Sequence, residues 1–149
     1  MDEKLLQVFI DGVRYYFEHQ TEEPAQVGTP YLGEVGQTVA YDYTGIIGVS
    51  GSRKGCVYYS APRLLLRYLL LSMGEKDADG ANLADLAGEI ANTISGNARR
   101  EFDSDFMISV PVVVSGETPQ IQMGSRGRPF YVIPVTWHQY PSALVVSLE

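Results

Sequence analysis

The most informative segment of the chain is 88-GEIANTISGN-97. It continues a pattern in which apolar residues recur three and four positions apart, which is typical of a helix that buries one stripe. The apolar positions are Leu83, Leu86, Ala87, Ile90, Ala91 and Ile94. If Asn82 is the N-cap and Asp85 is residue N3, the beginning resembles a capping box. The sequence therefore predicts a helix that begins at Asn82 and contains Gly96.

Four residues of this helix lie opposite the apolar stripe. At about 100° per residue, Asp85, Glu89, Asn92 and Gly96 fall about 130 to 170° from the centre of the stripe. Glu89 and Asn92, three positions apart, are neighbours on the helix surface. Gly88 and Gly96 each lower the stability of the helix by about 1 kcal/mol relative to alanine. Close approach by a partner would explain why glycine occurs there. The alternative is an ordinary solvated helix face, on which Gly96 permits tight packing or a kink.

Length and composition limit the class of protein. A chain of 149 residues with 45% hydrophobic content fits one compact domain spanning residues 1–149. The net charge of −7 disfavours binding to nucleic acid or anionic lipid. The chain begins without a signal-peptide pattern, and the apolar run from Leu64 to Met73 is interrupted by Arg67 and too short to span a bilayer. We therefore expect a cytoplasmic protein with no nucleic-acid or membrane partner.

Common catalytic and metal-binding motifs are missing from the sequence. The single cysteine, Cys56, excludes an intrachain disulfide and a cysteine-rich zinc site. His19 and His138 have no companion at metal-ligand spacing, so no metal site is predicted. The segment 48-GVSGSRKG-55 differs from a phosphate-binding loop because Lys54 is followed by Gly55 and a predicted strand. The sequence therefore predicts no cofactor of the protein's own.

The remaining patterns predict two helices and six strands. A first helix carries apolar residues at helical spacing from Leu5 to Phe17 and ends before Pro24. A second helix has Ser60 as its cap and Pro62 in its first turn, and it ends at Met73 before Gly74. The predicted strands are Pro30–Leu32, Tyr43–Val49, Cys56–Tyr59, Met107–Val114, Phe130–Val135 and Leu144–Leu148.

The order of these elements is helix, three strands, helix, helix, three strands. It indicates an internal duplication of the arrangement. Hairpin-like pairs of strands favour an α/β (α+β) fold in which helices face a largely antiparallel sheet. Pro111 to Val114 are nearly all apolar, which predicts a strand covered on both faces.

Several motifs in a fixed order resemble the CheX branch of the CheC/CheX/FliY family of chemotaxis phosphatases. Glu89-Ile-Ala-Asn92 and 94-ISG-96 follow Asp85 and precede 108-ISVPVVVSG-116. Upstream, 44-TGIIGVSG-51, 54-KGCV-57 and 69-LLLSMG-74 occur in the order found in the family. The resemblance covers the chain from about residue 30 onward. Its specificity comes from the ordered set, because Glu-x-x-Asn alone is common.

The resemblance implies a function, a fold and a partner. Members of the family hydrolyse the phospho-aspartate of a CheY-like response-regulator receiver domain in two-component signalling, and they share a pseudo-twofold domain of two related halves. By resemblance, Asn92 would orient the attacking water, Glu89 would pair with a receiver Lys or Arg, and Asp85 and Gly96 would contact the partner. The receiver would supply the Mg²⁺.

The resemblance also bears on assembly and on the number of active faces. Members with one Glu-x-x-Asn helix tend to form homodimers through their sheets, whereas CheC-like members carry two such helices. The other candidate helix, Arg63 to Met73, has no such pair, which predicts one active face per chain.

Two rival functions remain. The first is a non-catalytic receiver-binding or scaffold module of the same fold, acting in chemotaxis, the flagellar switch or another two-component system. The presence of both Glu89 and Asn92 favours the enzyme, because a scaffold has little need of a water-orienting amide. The second is an enzyme acting on a small molecule or nucleotide, for which the sequence offers no phosphate loop, metal cluster or catalytic triad.

Overall fold

The computed structural model describes residues 3–34, 39–116 and 129–149. In these residues the chain forms helices α1 (Glu3–Thr21), α2 (Arg63–Ser72) and α3 (Gly80–Glu101). The strands are β1 (Gln26–Val27), β2 (Tyr31–Leu32), β3 (Tyr43–Gly51), β4 (Gly55–Ala61), β5 (Phe106–Ile108), β6 (Val112–Ser115), β7 (Tyr131–Trp137) and β8 (Tyr140–Leu148). All three predicted helices and all six predicted strand regions are present, and the strand ends differ from the predicted ones by at most four residues.

The strands form one antiparallel sheet in the order β1-β7-β8-β4-β3-β5. At one edge β2 also pairs with β7, and at the other β6 also pairs with β3. Each half of the chain therefore contributes a helix, two short strands and a long hairpin, and its short strands pair with the hairpin of the other half. This confirms the predicted antiparallel sheet and the duplicated, pseudo-twofold arrangement, although the described residues form four strands in each half instead of three.

The run predicted as one strand from Met107 to Val114 is divided by a bulge. Ile108 lies opposite Val49, and Val112 lies opposite Ile46, so four steps along this run face three steps along β3. An extra residue in one strand of an antiparallel pair interrupts the ladder and bends the strand. The prediction of a single strand was wrong because the apolar pattern does not reveal this insertion.

Ser109 and Pro111 account for the bulge. Pro111 has no amide hydrogen to donate to a neighbouring strand. The hydroxyl of Ser109 accepts a hydrogen bond from the amide of Gly48 at 2.8 Å, in place of a backbone carbonyl. The opposite edge shows the same feature, since β1 and β2 are two short strands paired with β7, and β1 was missed because it is only two residues long.

The prediction that Pro111 to Val114 are covered on both faces is also wrong. Among the described strands β6 pairs with β3 alone, and 59% of Val112 and 81% of nearby Val110 are exposed. Helix α3 covers one face of β6, where Gly88 lies against Val113, so the strand is covered on one face and not on both.

The main core lies between the sheet and the three helices. Buried residues of α1, α2 and α3 pack with alternate residues of the long strands, including Ile47, Val57, Tyr59, Ile133 and Leu144. A smaller cluster on the other face contains Tyr58, Phe130, Val132, Ala143 and Val145, with Val39 and Tyr41 packed against it. All three helices therefore lie on the same face of the sheet.

The caps of α2 and α3 differ from the predicted ones. Asp79, not Asn82, is the N-cap of α3, and its carboxylate accepts the amide hydrogen of Asn82 at 2.9 Å. Pro62, not Ser60, is the N-cap of α2, and the carboxylate of Asp42 accepts the amide hydrogen of Arg63 at 2.7 Å. Asp42 lies 21 positions before Arg63, so a pattern of neighbouring residues could not predict this bond.

Candidate functional site

Helix α3 lies directly on the sheet because two glycines meet there. A Cβ atom on Gly45 of β3 would lie 2.5 Å from the carbonyl oxygen of Ala87 and 2.6 Å from the Cα of Gly88. A Cβ atom on Gly88 would lie 2.8 Å from Val113 Cγ2 of β6. Both positions require glycine for this contact. Gly88 thus serves packing within the chain, and close approach by a partner does not explain it.

The outward row predicted on α3 is present. Leu83, Leu86, Ala87, Ile90, Ala91 and Ile94 are buried, whereas Asp85, Glu89 and Asn92 are exposed. Gly96 is partly exposed, and a Cβ atom there would have no atom within 4 Å outside its own helix. Within the described parts of the chain, no hydrogen bond or ion pair engages the side chains of Glu89 and Asn92. Both groups are therefore available to another molecule.

Helix α1 supports α3 from the side. A Cβ atom on Gly12 would lie 3.4 Å from Ile94 Cγ2, so the two helices are in close contact there. Tyr16 of α1 is 2% exposed, and burial raises the pKa of its hydroxyl, with a further contribution from the carboxylate of Glu89. Tyr16 is therefore neutral at physiological pH, and Glu89 lies close enough to influence it.

The counterpart of α3 is α1, not α2. Each of α1 and α3 opens one half of the fold and precedes the two short strands and the long hairpin. When Leu5 is aligned with Leu83, all six buried residues of α1 fall on buried residues of α3. In this register Asp11 aligns with Glu89, and Arg14 aligns with Asn92.

This register changes the basis for expecting one active face. A second Glu-x-x-Asn pair was sought in Arg63 to Met73, but that helix is not the counterpart of α3. The relevant absence is in α1, which presents a guanidinium where α3 presents an amide. The carboxylate of Asp11 also accepts a hydrogen bond from Gln7 at 2.8 Å, whereas Glu89 has no such bond.

The described residues were also examined for a metal site and for a membrane-spanning helix. In residues 3–34, 39–116 and 129–149, no group of three or more His, Cys, Asp and Glu side chains could hold a metal ion. No helix in these segments combines the length and apolar character that crossing a membrane requires.

Comparison with protein families identifies the chain. Residues 43–136, more than half of the sequence, match the family described as chemotaxis phosphatase CheX. The chain belongs to the CheX family. The matched region contains β3, β4, α2 and all of α3 with Glu89 and Asn92. The resemblance drawn from the sequence motifs is thereby confirmed, and the chain is a module of the chemotaxis phosphatase type.

Solved structures with the same fold include two chemotaxis proteins of similar length. A CheX protein from Desulfovibrio desulfuricans matches with a TM-score of 0.84 and 21% identity, over 98% of this chain and 99% of its own. A CheC-like protein from Shewanella oneidensis matches with a TM-score of 0.84 and 22% identity, over all of both chains. Curated protein sequences give no match.

One CheX structure was solved with a receiver. CheX from Borrelia burgdorferi, in a complex of CheX with CheY, BeF₃ and Mg²⁺, matches with a TM-score of 0.77 and 17% identity, over 97% of each chain. At this identity the likeness to the present chain is one of fold. It shows that a CheX protein of this fold forms a complex with CheY.

The sequence predicted the outward row of α3 but not the contacts with β3 and α1 that hold this helix in place. Gly45 lies within a predicted strand, and a glycine inside a strand often marks close backbone approach, so it offered a usable signal. The alignment of Asp11 with Glu89 had no such signal, because the two helices share a burial pattern and few residue types.

Proposed function

We propose that this protein hydrolyses the phospho-aspartate of a CheY-like response-regulator receiver domain, with Asn92 orienting the attacking water and Glu89 docking the partner. The observation that carries the proposal is the exposed carboxylate and amide three residues apart on α3, with no bonds to other described residues. Membership of the CheX family and the CheX–CheY complex from Borrelia burgdorferi support it.

The chemistry of an aspartyl phosphate requires little from a helper protein. The phosphoryl group is attached to a carboxylate, which is a good leaving group, and its charge is balanced by Mg²⁺ and a Lys of the receiver. Hydrolysis therefore depends mainly on placing a water molecule in line with the P–O bond that breaks. The water oxygen bonds to phosphorus, the aspartate carboxylate leaves, and inorganic phosphate is released. In this proposal the Mg²⁺ comes from the receiver.

Asn92 suits the task of holding that water. Its amide offers both an acceptor and donors in one short side chain, so it can fix the position and orientation of a single water. It is carried by a helix whose backbone packs tightly on β3 at Gly45, so the position from which the amide extends is fixed. A preorganised group of this kind acts on the transition state without a shifted pKa.

Glu89, Asp85 and Gly96 would form the docking contact around Asn92. Glu89 is exposed, and its carboxylate can form a charge-assisted hydrogen bond to a receiver Lys or Arg. Asp85 lies one turn before Glu89 on the same exposed face. The open space at Gly96 would allow the backbone of the partner to come close to the helix.

The experiment is phosphate release from receivers of the same organism, each charged with a small phosphodonor. We expect the wild-type protein to accelerate release from at least one receiver, and the Asn92→Ala protein to bind that receiver and accelerate release far less. Binding by the wild type without acceleration, across the whole panel, would indicate the scaffold function instead.

We also propose a homodimer formed through a sheet edge. Strand β6 lies at an edge of the sheet that the described strands form, and 59% of Val112 and 81% of Val110 are exposed. An exposed apolar edge strand favours pairing with another chain. Sedimentation at micromolar concentration should give a dimer that Val112→Lys converts to a monomer, whereas a wild-type monomer would refute the proposal.

A further inference from the structure

A groove lies beside Glu89, between the end of α2 and the first half of α3. Its volume is about 340 Å³. The floor is apolar and includes Leu70 of α2 and Leu86 of α3, which are 7% and 2% exposed. Glu89 forms part of its rim, so the groove is continuous with the outward row of α3. A protein that docks on Glu89 and Asn92 therefore comes within reach of the groove.

The rim of the groove is acidic. Glu75, Asp77 and Asp85 line it together with Glu89, and the described residues that line it include no Lys or Arg. Within the described residues, none of these four carboxylates takes part in an ion pair. Four like charges beside an apolar floor create a negative potential that a cation would relieve.

The connector between α2 and α3, residues 73–79, carries Glu75 and Asp77 and is hydrogen-bonded to both helices. The amide nitrogen of the Asn82 side chain donates a hydrogen bond to the carbonyl oxygen of Asp77 at 3.0 Å. The backbone amide of Glu75 donates to the carbonyl oxygen of Leu70 at 3.1 Å. The two carboxylates therefore extend from backbone that is bonded to α2 and α3, so the backbone of the connector needs little ordering on binding.

We propose that this groove receives a Lys or Arg side chain of the phosphorylated receiver, in addition to the basic residue that Glu89 contacts. A long aliphatic stem fits the floor formed by Leu70 and Leu86, and a cationic head fits the acidic rim. The inference rests on the proposed function, because the groove shares Glu89 with the docking face. It assigns Glu75 and Asp77, which lie outside the outward row, a part in choosing the receiver.

The test is the affinity for a receiver held in its phosphorylated form by beryllium fluoride and Mg²⁺. The double variant Glu75→Gln/Asp77→Asn removes two charges from the rim and leaves Glu89 and Asn92 unchanged. A matched control, Glu3→Gln/Glu18→Gln, removes two charges from exposed positions of α1. We expect the groove variant to raise Kd roughly tenfold at low salt and less at high salt, with kcat at saturating receiver unchanged, and the control to stay within twofold of the wild type.

The outcomes separate this inference from the proposed function. Equal affinities for the wild type and the groove variant would overturn the inference even if both accelerate phosphate release. Tighter binding by the groove variant would indicate an apolar occupant and would also overturn it. A wild type that binds but does not accelerate release would refute the phosphatase, while a raised Kd for the groove variant would still support the cationic contact. Absence of binding to every receiver would refute both.

Discussion

Helices α1 and α3 have the same place in the two halves of the fold but different outer faces. Their buried positions coincide when Leu5 is aligned with Leu83. On the outside, α3 presents Glu89 and Asn92 where α1 presents Asp11 and Arg14. The duplicated fold therefore repeats the packing and leaves the outward positions free to differ. The difference locates the proposed chemistry in two residues of α3, because function resides in sites and not in the fold.

The largest expected effect is that of Asn92→Ala on catalysis. Loss of one preorganised hydrogen-bonding group costs about 3 kcal/mol of transition-state stabilisation, which is a fall in kcat of roughly 100-fold. Arg14→Ala, at the aligned position of α1, should stay within twofold of the wild type. The measurement is the rate of phosphate release at saturating phosphorylated receiver. Equal effects of the two substitutions would remove the distinction between the helices.

Gly45→Ala should destabilise the fold by about 1–3 kcal/mol, because its Cβ atom would lie 2.5 Å from the backbone of α3. Gly48→Ala, in the same strand, is the control, since its Cβ atom would lie 3.4 Å from the Ser109 hydroxyl oxygen. Urea denaturation of both variants gives the change in the free energy of unfolding. A loss of stability at Gly48 as large as that at Gly45 would contradict the seating of α3 on β3.

Glu89→Ala should raise KM for the phosphorylated receiver by roughly tenfold, about 1.4 kcal/mol, and change kcat less. The KM of the wild type should rise with salt, because an exposed charge pair is screened, and that of the variant should rise less. Asp11→Ala serves as the control on α1. A KM for Glu89→Ala equal to that of the wild type would show that the carboxylate does not dock the partner.

The smallest expected effect is that of Gly96→Ala. Alanine should stabilise α3 by up to about 1 kcal/mol, because nothing outside the helix lies within 4 Å of the added Cβ atom. If the partner approaches closely there, KM should nevertheless rise a few-fold. Thermal denaturation and receiver dephosphorylation measure the two effects, and a stabilised variant with an unchanged KM would place Gly96 outside the interface.

Much of the fold could be predicted from local patterns. The helical spacing of Leu83 through Ile94 predicted the buried stripe and the outward row, and Gly74 marked the end of α2. The bulge at Ser109, the bond from Asp42 to Arg63 and the exposed edge at Val112 were missed. Each depends on residues far apart in the sequence, which a local pattern does not report.

The candidate site could likewise be predicted only in part. Glu89 and Asn92 could be proposed from their spacing and from the motifs around them. The counterpart helix α1 and the acidic groove could not, because both depend on how separate elements pack in three dimensions. The contact between Gly45 and Gly88 could be predicted in part. A glycine inside a strand indicates close approach of another backbone, but the sequence does not show that α3 is the element that approaches.

A map of the receiver contact on this protein in solution would test directly whether the receiver binds the outer face of α3. Backbone amide chemical shifts of the ¹⁵N-labelled protein would be followed as an unlabelled receiver, held in its phosphorylated form by beryllium fluoride and Mg²⁺, is added. We expect perturbations along Asp85 to Gly96 of α3, with the outer positions Asp11 and Arg14 of α1 unaffected. Perturbations centred on α1, or on strands β5 and β6, would contradict it.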